Sequence, residues 1–268
     1  MVHQALERSA PNGISMNAWS EPKQTLPARG PILLVGPDSQ IQRALVQELH
    51  SLPISTMTAR DLEEASSCRV DPNRPPGILL LPEDEIRTEE FEEQLADLRI
   101  RTGSPSLVPI AFGQGPCEER RRALRDAGID LALFGRFGRH ALRFQINRAR
   151  SRWARHRPRG ELRAPQEWRT RIFSSGKEKA VRCYSLSSGG AYFVTPRPWV
   201  VGSDISLELP MVHERLLIEG RILYTNVTGD GSGRALPRGM AITFRPLSDH
   251  LQRFIRAGVN KSQAKLEV

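Results

Sequence analysis

Arg159-Gly-Glu-Leu-Arg163 and, some twenty residues on, Ser185-Leu-Ser-Ser-Gly-Gly190 are the two segments from which the rest of this chain can be read. The first sets two guanidinium groups four residues apart; the second is a hydroxyl-rich, glycine-rich turn. A guanidinium can stack on a base, bond its edge and hold a phosphate with one planar fork, which an ammonium cannot do. The turn offers Ser185 and Ser187 as hydroxyl partners, and Gly189 and Gly190 as positions where backbone approaches closely for want of a Cβ. Together these segments suit a planar, anionic, purine-bearing ligand.

RxxxR followed at this distance by [DN]xSxxG at the start of a β-barrel resembles the PilZ domain, a family that binds cyclic di-GMP in bacteria. The resemblance implies that Arg159 and Arg163 are the motif arginines, Ser187 its serine and Gly190 its glycine. Arg155-His-Arg-Pro-Arg159 has the same spacing four residues earlier, so Arg155 stays a candidate; Arg163-Ala-Pro165 favours the later pair, because it resembles the family's arginine just before the first strand. Residues 238–244, Arg-Gly-Met-Ala-Ile-Thr-Phe, followed by 246–250, Pro-Leu-Ser-Asp-His, look like the family's last strand and closing helix. One position departs: Ser185 stands where the family has Asp or Asn. A lost bond to the guanine edge costs about 1–3 kcal/mol, roughly one to two decades of affinity.

With 268 residues the chain can hold two modest domains, and 39% hydrophobic with 26% charged residues is an ordinary globular composition. No window approaches the roughly 20 apolar residues of a membrane span, and the first thirty residues carry Pro11, Gly13, Pro22, Pro27 and Gly30 without an apolar run. Residues 1–30 are expected to be a disordered arm and the protein cytoplasmic. Cys68, Cys117 and Cys183 have no disulfide or metal-ligand spacing, as suits a reducing compartment. The net charge of +9 is concentrated, with ten arginines between Arg136 and Arg163. Such a run attracts polyanions, although a solvated helix face leading into a basic linker accounts for most of it.

From 31 to 154 short apolar runs alternate five times with amphipathic stretches, which predicts a doubly wound (βα)5 domain with a parallel sheet. Strands are expected at 32–35, 54–58, 78–81, 107–112 and 131–134. Ser39 is expected to cap a helix with Ile41, Leu45 and Leu49 inward; further helices are expected at 89–98, 118–127 and 139–154, the last with Leu142, Ile146 and Trp153 inward. This half resembles the receiver domain of response regulators, without its chemistry. Gly36 and Pro37 replace the acidic residues after the first strand, Pro82 the phospho-accepting aspartate, Gly113 the hydroxyl residue, and Gly135 or Arg136 the lysine. Without carboxylates there is neither a magnesium site nor a nucleophile, so a pseudo-receiver is expected, useful for its surface. The alternative is that Glu83, Asp84 and Glu85 rebuild a metal site with Asp38, but acidic residues opening a helix are already explained by its dipole.

An arginine-rich linker is expected over 155–166. Beyond it period-two alternation predicts an all-β unit, a six-stranded PilZ-type barrel over 167–258 with a C-terminal helix. Its strands are expected at 168–173, 180–184, 191–195, 205–209, 216–226 and 240–244, with a hairpin turn at Ser174-Ser-Gly-Lys177. The glycine-rich loop at 228–237 lacks the lysine and following helix of a Walker loop. A final helix over 248–257 is expected to close the barrel with Leu251, Phe254 and Ile255, leaving 259–268 a flexible tail.

The resemblance therefore implies a non-enzymatic signalling effector of the kind that regulates motility. It would bind cyclic di-GMP through Arg159, Arg163, Ser185, Ser187 and Gly190, with Arg155 in reserve, and need no cofactor or metal. An unidentified protein partner would dock on the pseudo-receiver surface. The alternative is a scaffold that keeps the barrel but no longer binds the messenger. A DNA-binding regulator has only the basic charge in its favour, since no helix-turn-helix follows the first half, and specific nucleic-acid binding is not expected. The histidines His3, His50, His140, His156, His213 and His250 are scattered singly, without the pairing an enzyme's nucleophile and base require.

Overall fold

The computed structural model describes residues 30–52, 54–153, 162–210, 215–227 and 236–268. The expected arm at 1–29, Arg155, Arg159, His3, His156, His213 and loop residues 228–235 lie outside the described residues.

The first unit is a five-stranded parallel sheet of β1 (Ile32–Val35), β2 (Thr56–Ala59), β3 (Ile78–Pro82), β4 (Val108–Gly113) and β5 (Leu131–Phe134), in the order β2-β1-β3-β4-β5. Continuous apolar runs such as Ile32-Leu-Leu-Val35 suit strands covered on both faces. Alternate side chains divide between two cores. Leu33, Leu79 and Ala111 pack with α2 (Leu62–Ser67), α3 (Phe91–Arg101) and α4 (Glu118–Asp126), through Ala65, Leu95 and Leu124. Ile32, Leu80 and Ile110 pack with α1 (Gln40–Ser51) and α5 (Arg139–Trp153), through Leu45, Leu49, Leu142 and Ile146.

Ser39 caps α1 by accepting from the Gln42 N–H. The inward face of α1 is Gln42, Leu45 and Leu49; Ile41 was expected there but is 47% exposed. Gln42 wins the position because its amide donates to the Gly36 carbonyl at 3.1 Å, so it is buried with a partner. Helix α2, six residues capped by Asp61, is too short to leave a periodic signal in the sequence.

The second unit is a closed antiparallel barrel of β7 (Arg169–Ser174), β8 (Lys177–Ser187), β9 (Gly190–Val194), β10 (Asp204–Pro210), β11 (Arg215–Asn226) and β12 (Gly239–Phe244). Neighbours run β8-β7-β10-β11-β12-β9, and β9 closes onto β8. Ser175 and Gly176, at φ 48° and 72°, make the two-residue turn joining β7 to β8. The interior is filled by residues such as Ile172, Phe193, Leu207, Ile218 and Met240. A short strand, β6 (Arg163–Pro165), occupies part of the stretch expected as linker and pairs with the far end of β8.

The last helix, α6, runs Asp249–Gln263, further than expected, and buries Ile255, Val259 and Gln263. Phe254 is 38% exposed, so Ile255 with Val259 closes the barrel where Leu251 and Phe254 were expected to help. The chain beyond it is not a loose tail: Ala132 N–H bonds the Leu266 carbonyl, Phe134 N–H the Lys265 carbonyl, and Val268 N–H the Asp130 carbonyl. After a turn over 264–266, the chain thus lies along β5 in one antiparallel bridge, Glu267 opposite Leu131.

Candidate functional site

Strands β6 and β8 bring the motif residues together. Their antiparallel register sets Arg163 opposite Ser187, Ala164 opposite Leu186 and Pro165 opposite Ser185. Residues directly opposite in such a pair share a face, with Cβ atoms about 4.5–5.5 Å apart. Ala164 and Leu186 point into the barrel core. Arg163 and Ser187 therefore stand together on the outer face, flanked by Ser185. Burial pushes the nearby Cys183 thiol well up, and the Arg163 charge acts against that shift.

Ser185 and Ser187 belong to the strand itself, which runs further than the sequence suggested, and only two residues separate Ser187 from its partner Gly190. Both serines are buried, at 2% and 3% exposure, and Ser187 Oγ donates to the Gly190 carbonyl at 3.2 Å. A register shift between Cys183 and Ser185 lets Tyr184 and Ser185 together oppose Tyr192 across β9. Such bulges re-aim side chains where a strand borders a site.

Gly190 also meets a packing constraint. A Cβ there would lie 2.3 Å from the Ile242 carbonyl oxygen, so the missing side chain makes room for β12. Arg163 is half-buried, and its carbonyl accepts from the Gln263 side-chain amide of α6. Of the six candidate residues, Arg163, Ser185, Ser187 and Gly190 are brought together; Arg155 and Arg159 belong to the undescribed segment that leads into β6.

Beside this face lies an aromatic cluster that the sequence did not announce. Tyr184 and Tyr192 pack edge to face at 5.9 Å, and His140 of α5 packs on Tyr184 at 5.4 Å. Asn147 of α5 donates to the Tyr184 hydroxyl, and Tyr192 donates to the Pro237 carbonyl at 2.6 Å. Burial raises both phenols above their ordinary range, so they remain neutral. The signal available was spacing: His140, Phe144 and Asn147 form a second stripe on α5, opposite the one that carries Leu142 and Ile146.

At the carboxyl end of the first sheet, where doubly wound folds take their ligands, a cleft lined by Gly36, Asp38, Arg43, Thr58, Arg60 and Glu64 opens beside β1 and β2, while the rim at β3 and β4 is closed by the chain's own atoms. A Cβ at Gly36 would meet Pro82 Cγ at 2.7 Å, and one at Gly113 would meet Glu83 Cγ at 2.6 Å. Gly135 N–H bonds the Gly113 carbonyl at 2.8 Å. Asp38 is paired with Arg43 at 3.0 Å, and Glu83 lies 3.9 Å from Arg120. Among the described residues these carboxylates do not gather into a group of three that could hold a metal ion.

Residues 154–261 match the PilZ domain model and form a PilZ domain. No curated protein matches the chain. Among solved structures, the inhibitor of motility MotI/DgrA from Bacillus subtilis is 18% identical at a TM-score of 0.33, covering 40% of this chain and 52% of its own. The chain thus spans about half the length of that protein. The PilZ domain with c-di-GMP of YcgR from Escherichia coli is 16% identical at a TM-score of 0.32, covering 40% of this chain and 92% of that one. A signal receiver domain of an HD domain-containing protein from Pseudomonas fluorescens Pf-5 is 21% identical at a TM-score of 0.38, covering 48% of this chain and all of that one.

Proposed function

We propose that the PilZ domain binds cyclic di-GMP on the outer face of β6 and β8, and that the receiver-like unit relays the event to a protein partner without phosphoryl transfer. The observation that carries this reading is the register of Arg163 opposite Ser187 within a matched PilZ domain. In the proposal Arg163 holds a phosphate or stacks on a guanine, Ser187 and Ser185 bond the ligand's polar edge, and Arg159, or Arg155, closes over it from the preceding segment. Because both serines are buried, binding requires whatever covers them to move. That movement gives the messenger a conformational equilibrium on which to act, through its different affinities for the two arrangements. The protein acts in the bacterial cytoplasm, on a process such as motility, and needs neither cofactor nor metal.

The joint between the units supports a relay. Helix α5 packs Leu142 and Ile146 on the first sheet and His140, Phe144 and Asn147 against the tyrosines beside the site. Any shift of β8 is therefore felt by a helix of the receiver-like unit. Calorimetric titration with cyclic di-GMP tests the proposal: heat with the wild-type chain, reduced at least tenfold in affinity by Arg163→Ala, is expected. No heat at high micromolar ligand would overturn it.

A second reading, a PilZ-fold scaffold that no longer takes the messenger, is favoured by Ser185 in place of Asp or Asn and by its burial. Its mark would be partner capture that neither cyclic di-GMP nor Arg163→Ala changes.

A further inference from the structure

Residues 264–268 cross from the PilZ domain to the edge of the other unit's sheet, where a set of polar contacts surrounds two buried apolar side chains. Beyond the three ladder bonds to Asp130, Ala132 and Phe134, Gln145 Nε2 donates to both the Ala132 and Leu266 carbonyls, at 2.7 and 2.5 Å. From α4, Arg121 donates to the carbonyls of Ala264 and Glu267 and Arg125 to that of Val268, at 3.1, 2.8 and 2.6 Å. From α5, Arg148 pairs with Glu267 at 2.6 Å. Leu266 and Val268 are 2% and 5% exposed and enter the two separate cores of the sheet.

This is strand addition, a mode in which backbone bonds give affinity and pockets for alternate side chains give selectivity. The groove between α4 and α5 accordingly reads an apolar–acidic–apolar pattern, here Leu266-Glu267-Val268. The segment is also wired to the ligand face. Gln263, immediately before it, donates to the Arg163 carbonyl and accepts from Arg148, the residue that holds Glu267. One network thus joins the backbone of the motif arginine to the side chain that fixes the strand.

We propose that residues 264–268 are a releasable strand strapping the PilZ domain to the β5 edge, with their hold set by the Gln263 bond to Arg163. The β5 edge is then an interaction surface for an extended segment, filled in this arrangement by the chain itself. Short strands held mostly by backbone bonds open well below the global unfolding free energy. Release exposes a row of unpaired backbone groups, the kind of edge that recruits another strand. The inference goes beyond ligand binding and does not require it.

Hydrogen exchange on the full-length chain tests this without cyclic di-GMP. Leu266→Asp should raise exchange of the amides at 130–134 at least tenfold while those at 32–35 and 78–81 stay protected. Gln263→Ala should raise exchange at 130–134 and 264–268 several-fold and leave the barrel strand at 205–209 unchanged. An acetylated peptide spanning 261–268 should restore protection at 130–134 in the Leu266→Asp chain. Should Leu266→Asp unfold the first unit, Arg148→Ala gives the same reading by removing the bonds to Gln263 and Glu267 while leaving the apolar contacts of Leu266 and Val268. Unchanged exchange at 130–134 in Leu266→Asp or Arg148→Ala overturns the strap. Unchanged exchange in Gln263→Ala overturns its link to Arg163, and failure of the peptide overturns the groove. None of these outcomes bears on whether cyclic di-GMP binds, which calorimetry decides separately.

Discussion

In the proposed reading, ligand affinity turns on Ser185. Its hydroxyl stands opposite Pro165 and beside Tyr192, on the strand that carries Ser187, but it is shorter than the carboxylate or amide that the PilZ pattern places there. Ser185→Asp should strengthen cyclic di-GMP binding about tenfold, read by calorimetry, since a restored charged bond is worth roughly 1.5–3 kcal/mol less the cost of burying the new carboxylate. Gly190 answers to a different constraint. Gly190→Ala should cost about 1–3 kcal/mol in chemical denaturation, because its Cβ would collide with the Ile242 carbonyl and force β9 from β12. At this scale the sequence was half legible. The spacing of Arg163, Ser185, Ser187 and Gly190 foretold that they would meet, yet a motif glycine looks the same whether it admits a ligand or a neighbouring strand. Only the position of β12 separates the two.

Elements were most legible where an apolar run was unbroken. Ile32-Leu-Leu-Val35 and Leu131-Ala-Leu-Phe134 form strands at their expected limits, because a strand covered on both faces needs no alternation. Ends marked by proline or glycine moved: β3 takes in Pro82 and β4 takes in Gly113, since both lie on the rim where ladder bonds give out. Strand β6 was missed because three residues carry no period, and α6 outran expectation because Val259 and Gln263 continue its buried face past Gly258. The rim also carries a pH-dependent cost. Burial, then the neighbouring Asp84, raises Glu83 above its ordinary carboxyl value of 4.5, against the opposing pull of Arg120. Its proton is thus bound more tightly in the folded chain. The stability this lends is complete below the unfolded value and is lost as pH rises through the raised folded one. Glu83→Gln should therefore raise the midpoint of thermal unfolding at pH 7 relative to wild type, with the gain shrinking as pH falls toward 4; an equal gain at both pH values would contradict it.

For the whole molecule, two units that each follow from their own hydrophobic pattern are tied by features no pattern announces. Helix α5 serves both cores, and the last residues complete the sheet of the unit furthest from them in sequence. Residues 259–268 read as a loose tail because Lys261, Lys265 and Glu267 are polar and only Leu266 and Val268 are buried beyond the helix. Their partners, Ala132 and Phe134, are more than 130 residues away, beyond the reach of any local signal. The central claim is that Arg163 and Ser187 act on one ligand from paired strands. A double-mutant cycle of Arg163→Ala and Ser187→Ala, with cyclic di-GMP affinity as the readout, tests it most directly. The account predicts binding by wild type and a coupling between the two losses of at least about 0.5 kcal/mol. Strictly additive losses, or no binding by the wild-type chain, would contradict it.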